Sequence, residues 1–226
     1  MCMKKIVVYP ASRVYYNDVI PAVNSCLANG NVDEIVIMIE DDVFPRQLPD
    51  RVRTMNISTQ PWFRMGECPN YRNLYSHMCL VRVALAKLFP DAGEILSLDA
   101  DTIVLKDLSD LFSSDLTDYY LAGVPEELLS EHLKRPYINM GMALFNLDKI
   151  RADHKDDEMI EDLNHTWYQW VEQDCINTLC YPKILPLGSE YNASQFTARC
   201  DDPVIRHFAF ERGWQQTFLV KRYAES

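Results

Sequence analysis

Ile95-Leu96-Ser97-Leu98-Asp99-Ala100-Asp101-Thr102-Ile103-Val104 is the stretch on which the reading of this chain turns. Residues 94–98 are apolar enough for a short buried strand, Asp99 and Asp101 stand at its exit, and residues 102–105 form a second β-branched piece. Open α/β sheets bind ligands at the carboxyl ends of their strands. Side chains at i and i+2 of an extended segment leave on one face, so both carboxylates can reach one hard cation such as Mg²⁺ or Mn²⁺. Two solvated aspartates closing a strand would look the same at this range.

The flanks repeat an alternation. Upstream, residues 4–9 read as a buried strand, and Asp18 opens an amphipathic helix (Val19, Ile20, Val23, Cys26, Leu27) that Asn29 and Gly30 stop. Residues 34–39 are a second β-branched strand, 51–57 a weak one and 61–71 a loop. Met78, Val81, Leu85 and Leu88 recur at helical spacing and predict a central helix over 74–89, ended by Pro90. Downstream, 119–124, 138–147, 183–187 and 204–208 are strand candidates, and 158–180 is mostly helical. Strands alternating with helices indicate an α/β protein with a largely parallel sheet. No internal repeat or linker divides the chain, so 1–226 reads as a single domain.

Composition bounds the function. A chain of 226 residues, 48% hydrophobic and 24% charged, is ordinary globular material and large enough to carry a cleft. Its 22 basic against 33 acidic residues give a net charge of −11, a field that repels nucleic acid. An anionic small molecule would need placed cations, and a metal held by carboxylates is one way to supply them. Seven dispersed cysteines without a CxxC pair argue against a disulfide framework or structural zinc and for a reducing, cytoplasmic setting. The N-terminal run is too short for a signal peptide, and no run approaches a membrane span.

Several blocks, in order, resemble glycosyltransferase family 8, the retaining GT-A enzymes. Arg82 precedes the acidic motif where that family has an arginine, and residues 95–104 look like its strand and DxD motif. Tyr137-Ile138-Asn139-Met140-Gly141-Met142-Ala143-Leu144-Phe145-Asn146-Leu147 is similar to its glycine-bearing strand. Glu172-Gln173-Asp174-Cys175-Ile176-Asn177 resembles its DQDxLN helix start, followed by Leu185-Pro186 and Tyr191-Asn192. Ile205-Arg206-His207-Phe208 with Trp214 resembles its close. The resemblance implies a GT-A, Rossmann-like domain with a mixed, mostly parallel central sheet flanked by helices.

It also implies roles. Asp99, Asp101 and His207 would hold the divalent metal, and a histidine suits Mn²⁺ better than Mg²⁺. Arg82 would lie near the sugar phosphate, Glu126 and Asn139 would meet sugar hydroxyls, and Tyr9 with its loop, together with Ala100, would touch the nucleotide. Gln173 would sit beneath the anomeric carbon, flanked by Glu172 and Asp174; an amide there favours front-face retention, whereas Asp174 would serve as nucleophile in a double displacement. The implied donor is UDP-glucose or UDP-galactose, and the acceptor a glycan, lipid-linked or protein hydroxyl. The chain departs from the pattern in Tyr9-Pro10-Ala11-Ser12-Arg13, in Phe210 where a glycine is usual, and in Arg212-Gly213-Trp214, which replaces Lys-Pro-Trp and leaves Arg212 to meet the diphosphate. Two other readings compete: a catalytically weak sugar-nucleotide binder, and a haloacid-dehalogenase-type phosphatase with Asp99 as nucleophile, although that loop usually lies near the start of a chain.

Overall fold

In a computed structural model of the chain, which describes residues 4–72 and 75–224, nine strands and eight α-helices alternate. They run β1 (Ile6–Pro10), α1 (Val19–Asn29), β2 (Glu34–Ile39), β3 (Val52–Asn56), α2 (Leu85–Leu88), β4 (Glu94–Leu98), β5 (Thr102–Val104), α3 (Ser109–Phe112), β6 (Leu121–Pro125), α4 (Glu127–Leu133), β7 (Ile138–Asn146), α5 (Leu147–Ala152), α6 (Lys155–His165), α7 (Val171–Leu179), β8 (Ile184–Pro186), β9 (Ile205–His207) and α8 (Phe218–Ala224).

Seven of these strands form the main sheet in the order β3-β2-β1-β4-β7-β6-β8. Only β7 runs against its neighbours; β1, β2, β3 and β4 are mutually parallel, as are β6 and β8. The sheet is therefore mixed and mostly parallel, as the alternation indicated. Its order reverses at β1, which has β2 on one side and β4 on the other, and a crevice opens at such a switch point. The exits of β1 and β4 lie side by side there, since Val7 pairs with Leu96 and Val8 with Ser97.

The pleat divides the core in two. Val8, Val36, Met38 and Ile95 face a layer that includes Met78, Val81, Leu85, Met159 and Cys175. Val7, Ile35, Ile37, Leu96 and Leu98 face α1 through Val19, Ala22, Val23 and Cys26. Successive strand residues point to opposite faces, and helices cover both, which is why these strands read as continuous apolar runs.

One helix expectation changes and a second gains detail. The segment over 74–89 is not one α-helix: residues His77–Ala84 form a 3₁₀ helix that passes into the short α2, and Leu74 lies outside the described residues. Met78 to Val81 and Leu85 to Leu88 are spacings of three, which fit either geometry. In a 3₁₀ turn residues three apart eclipse, so Ser76, Cys79 and Arg82 line one cavity. The segment 158–180 is mostly helical, as expected, but in two helices with a break between α6 and α7. Asn70, 1% exposed, holds the break: its Nδ2 donates to the carbonyls of Leu163 and Thr166 (2.7 and 2.8 Å), and its Oδ1 accepts from the Tyr168 amide at 2.9 Å. The break lets α7 begin at the cavity, with Glu172 and Gln173 in its first turn. No described helix is long and apolar enough to cross a membrane.

Candidate active site

A cavity of about 380 Å³ fills the crevice at the switch point. β1 delivers Pro10 and Ser12 to it, β4 delivers Asp99, Ala100 and Asp101, β7 delivers Asn139, Met140 and Gly141, and α7 delivers Glu172 and Gln173. The volume lies in the range of small-molecule sites.

Asp99, Asp101 and His207 converge: one ligand atom from each lies within 4.8 Å of the other two. Pairing of β5 with β9 causes this, because Thr102 opposite His207 brings the end of the chain back to the residue after Asp101. His207 is 3% exposed, with Nε2 3.3 Å from Asp101 Oδ1 and 3.7 Å from Asp99 Oδ2. Its Nδ1 is 2.9 Å from Oδ1 of the fully buried Asn192. Asn192 Nδ2 donates to Asn139 Oδ1 at 3.0 Å, so its oxygen is the acceptor and Nδ1 carries the proton. That turns Nε2 toward the two carboxylates, and in the neutral ring its lone pair has the orientation a metal-ligating imidazole requires. Gly141 completes the cradle. A Cβ at this position would lie 2.0 Å from His207 Cε1 and 2.4 Å from Nδ1, so the ring rests against bare backbone. Two carboxylates and one correctly oriented imidazole nitrogen suit a divalent cation of Mn²⁺ type.

Electrostatics around this cluster are strongly paired. Burial opposes charge on His207, yet Asp101 and Asp99 outweigh it and raise the imidazole above its usual range. Burial likewise works against the Asp101 carboxylate, but His207 pulls it below the ordinary value. Arg82 is 3% exposed and bridges two acids, donating from Nη1 to Glu172 Oε1 at 2.6 Å and from Nη2 to Asp99, while Nε reaches Ser97 Oγ at 3.2 Å. Burial works against its charge, and Asp99 and Glu172 more than compensate. Burial raises the Glu172 carboxyl against the pull of Arg82.

A second network runs from the metal cluster toward α7. Asn139 donates to Glu126 Oε1 at 2.7 Å while its carbonyl takes the Gly141 amide at 2.9 Å. Glu126 also accepts from Gln173 Nε2 at 3.0 Å, and burial raises its carboxyl above the ordinary carboxylate range. Gln173 Oε1 accepts from the Met140 amide at 2.9 Å, which fixes the side chain against β7.

Of the residues expected from the sequence, Arg82, Asp99, Ala100, Asp101, Glu126, Asn139, Glu172, Gln173 and His207 all line this one cavity. Three do not. Tyr9 is fully buried on the same strand face as Val7, its hydroxyl donating to the Ala22 carbonyl at 3.4 Å. The alternation of β1 turns it under the sheet, and Ser12 reaches the cavity in its place. Asp174 is turned away from the cavity, with one carboxylate oxygen accepting from Tyr137 Oη and the other from the Trp170 amide at 2.8 Å. It organises the start of α7 and is not placed as a nucleophile. Arg212 is exposed and outside the lining, which Glu211 and Trp214 reach on either side of it.

Gly141 and Asn192 lay within motifs read from the sequence, but their task shows only when His207 folds against them. Ser12 lies in the loop after Tyr9 that the family resemblance set near the nucleotide but was not singled out there, and Tyr75 had no sequence signal. Their hydroxyl oxygens, Ser12 Oγ and Tyr75 Oη, are buried without a hydrogen-bond partner among the described residues and border the cavity. Buried hydroxyls without partners are costly, and a polar ligand would satisfy both.

Comparison with known proteins agrees with this fold. GlyA, a glycosyltransferase of Streptococcus pneumoniae, is 28% identical over 242 residues, covering 98% of this chain and 34% of GlyA. Glucoside xylosyltransferase 2 of Xenopus laevis is 26% identical over 168 residues, 62% of this chain and 39% of that protein. The chain spans between a third and a half of the length of the curated relatives it matches. Among solved structures, the galactosyltransferase LgtC with donor and acceptor sugar analogues superposes with a TM-score of 0.69 at 19% identity, covering 97% of this chain and 94% of LgtC. GlyE of Streptococcus pneumoniae gives 0.72 at 20% identity, over 99% of this chain and 60% of GlyE. At such identities the likeness is one of fold. The sequence profile of glycosyl transferase family 8 matches residues 6–202, from the first strand to just short of β9, and by that match this chain belongs to glycosyltransferase family 8, a family of sugar-transferring enzymes.

Proposed function

We propose that this chain is a metal-dependent, retaining hexosyltransferase that moves glucose or galactose from a UDP-sugar to an acceptor hydroxyl. The observation that carries the reading is the convergence of Asp99, Asp101 and the Asn192-oriented His207 in the switch-point cavity. These three residues would hold the cation. When bound, it supplies Lewis-acid charge to the diphosphate as the sugar bond breaks.

The protein's own groups do the rest. Arg82 contributes a fixed positive charge held by Glu172 and Asp99, in a site otherwise lined by Glu126, Asp101 and Glu211. Glu126 and Asn139, already bonded to each other, present their remaining acceptors and donors to sugar hydroxyls. Gln173 offers an amide and no carboxylate, and its dipole can stabilise positive charge developing at the anomeric carbon. With Asp174 committed to Tyr137 and Trp170, front-face transfer is favoured over a double displacement: the acceptor oxygen attacks on the side from which the diphosphate leaves, and the departing phosphate takes the acceptor's proton. An α-linked donor then yields an α-linked product. The galactosyltransferase named among the structural neighbours supports a hexose donor. The free thiols of Cys26, Cys68, Cys79, Cys175, Cys180 and Cys200 support work in a reducing cytoplasm.

Family membership and the engagement of Asp99 by Arg82 set aside the phosphatase reading. A panel of UDP-, GDP- and CMP-sugars with Mn²⁺, read first as melting temperature and then as transfer, tests the proposal. UDP-glucose or UDP-galactose with Mn²⁺ should give the largest shift, and EDTA or Asp101→Ala should end transfer. Full transfer in excess EDTA would refute the metal dependence. Tighter binding of GDP- or CMP-sugars would refute the base assignment, and donor binding without any turnover would make the chain a binder.

A further inference from the structure

The first residues of β7 give one edge to β6: Ile138 pairs with Pro125 and Asn139 with Val124, and the Tyr137 carbonyl accepts from the Glu126 amide at 2.8 Å. The other edge faces β4, which stops short of them. Leu98 opposite Met142 is the last pair of β4 with β7, followed by one bond from the Asp99 amide to the Gly141 carbonyl at 2.9 Å. Ile138 and Met140, both buried, therefore lie past the end of β4 with backbone groups that need partners.

Two side-chain amides of α7 supply them. Asn177, fully buried, accepts from the Ile138 amide at 2.7 Å and donates to the Ile138 carbonyl at 2.8 Å, as a neighbouring strand would. One turn earlier, Gln173 Oε1 accepts from the Met140 amide at 2.9 Å. The spacings agree, because four helix residues rise about 6 Å and two strand residues about 6.6 Å. With Asn177 seated on Ile138, the Gln173 side chain falls on Met140. Asn177 Nδ2 also donates to the Gln173 carbonyl at 2.9 Å, which ties the two turns together. This seating coexists with Val171, β-branched and 1% exposed, at φ +47° where α7 begins. Backbone strain of that kind persists only where the surroundings over-determine it.

We propose that Asn177 is a positioning residue for the transfer: it sets the register of α7 on the unpaired edge of β7, and through that register the aim of the Gln173 amide. The proposal rests on the role given to Gln173 above. Asn177 is outside the cavity lining and acts through Gln173, which is within it. Held by the Met140 amide on one lone pair, Gln173 Oε1 keeps its second for the cavity. Without Asn177, α7 is free to shift along β7, and a misplacement of about 1 Å can cost about 100-fold in turnover.

Two measurements test this. The first is amide hydrogen exchange by NMR on the metal-free protein. Asn177→Ala should speed exchange at Met140, which Asn177 does not touch, by about 10-fold or more, as well as at Ile138; wild-type exchange at Met140 would overturn the register. The second is hydrolysis of UDP-glucose or UDP-galactose with Mn²⁺, water standing in for the acceptor. Asn177→Ala should lower kcat about 10- to 100-fold and change the donor KM less than about threefold. In a Gln173→Ala background it should lower kcat no further. A full further loss in that background, or a raised KM at unchanged kcat, would overturn the positioning role. If Asn177→Ala does not fold, Asn177→Ser carries the same expectations, since its hydroxyl can bond to the Gln173 carbonyl one turn back but cannot span both groups of Ile138. No turnover by the wild type, or full kcat in Gln173→Ala, would instead overturn the transferase reading on which the proposal rests, and exchange at Met140 still decides the register.

Discussion

Gly141→Ala isolates the cradle of His207. The added methyl would lie 2.0 Å from His207 Cε1, about 1.4 Å inside ordinary contact, and 2.8 Å from Nε2 itself. The ring cannot swing away, because it is 3% exposed, tied to Asn192 through Nδ1, and carried on β9 by the pairing of His207 with Thr102. Overpacking on this scale costs about 1–3 kcal/mol, partly offset by about 0.5–1 kcal/mol from replacing a strand glycine. The metal-free variant should therefore lose only about 0–2.5 kcal/mol of stability. Displacement of Nε2 acts on the metal far more, and disturbing the support of a ligand typically costs 10- to 100-fold in affinity. At a Mn²⁺ concentration about 100 times the wild-type Kd, the cation stabilises the wild type by about 2.7 kcal/mol; after a 100-fold loss this falls to about 0.4 kcal/mol. Paired thermal melts with and without Mn²⁺, checked by calorimetric titration, read both quantities. A variant that binds Mn²⁺ with wild-type affinity would refute the role of Gly141 and, with it, the placement of His207 as a ligand.

Arg82→Lys should cost about 3–5 kcal/mol in urea unfolding, because a lysine cannot reach Glu172, Asp99 and Ser97 together and leaves a buried carboxylate unpaired; a loss below about 1 kcal/mol would show the bridge to be dispensable. Gln173→Ala should lower turnover about 10- to 1,000-fold, as for one well-placed dipole, while keeping Mn²⁺ and UDP binding and an α-linked product. A β-linked product by NMR, or a covalent sugar adduct on Asp174, would overturn the front-face reading. Burial holds the folded Glu126 carboxyl above its ordinary 4.5; a raised folded value means that its contribution to stability is fully present below the unfolded value and is lost as pH rises through the folded one. Metal-free wild type should therefore gain stability relative to Glu126→Gln as pH falls toward 4.5, and parallel melting curves for the two proteins across that window would contradict it.

Much of this molecule was legible before folding, for reasons that differ by element. β1, β2, β4 and β7 are buried on both faces, and such strands leave unbroken apolar runs that no other local structure explains as well. Asp99 and Asp101 were visible because strand geometry alone puts i and i+2 on one side at the exit of β4. Gln173 and His207 were identified only through family motifs, since a polar helix turn and a lone strand histidine have no local signature of chemistry. The break between α6 and α7 was missed because Asn70, nearly a hundred residues away, supplies the hydrogen bonds that end the first helix. The 3₁₀ geometry of His77–Ala84 was missed because apolar residues three apart serve both helices.

By itself the sequence determined the α/β class, the acidic pair and the family, all of which rest on short-range pattern and ordered motifs. Tertiary structure alone decided which of the candidate residues share a cavity. It turned Tyr9 under the sheet and brought Ser12 forward, spent Asp174 on Tyr137 and Trp170, left Arg212 outside, and made Gly141 and Asn192 the support of His207. Each of these outcomes depends on which groups from distant elements compete for one hydrogen bond or one van der Waals contact. That competition is settled only when β5 meets β9 and α7 docks on β7.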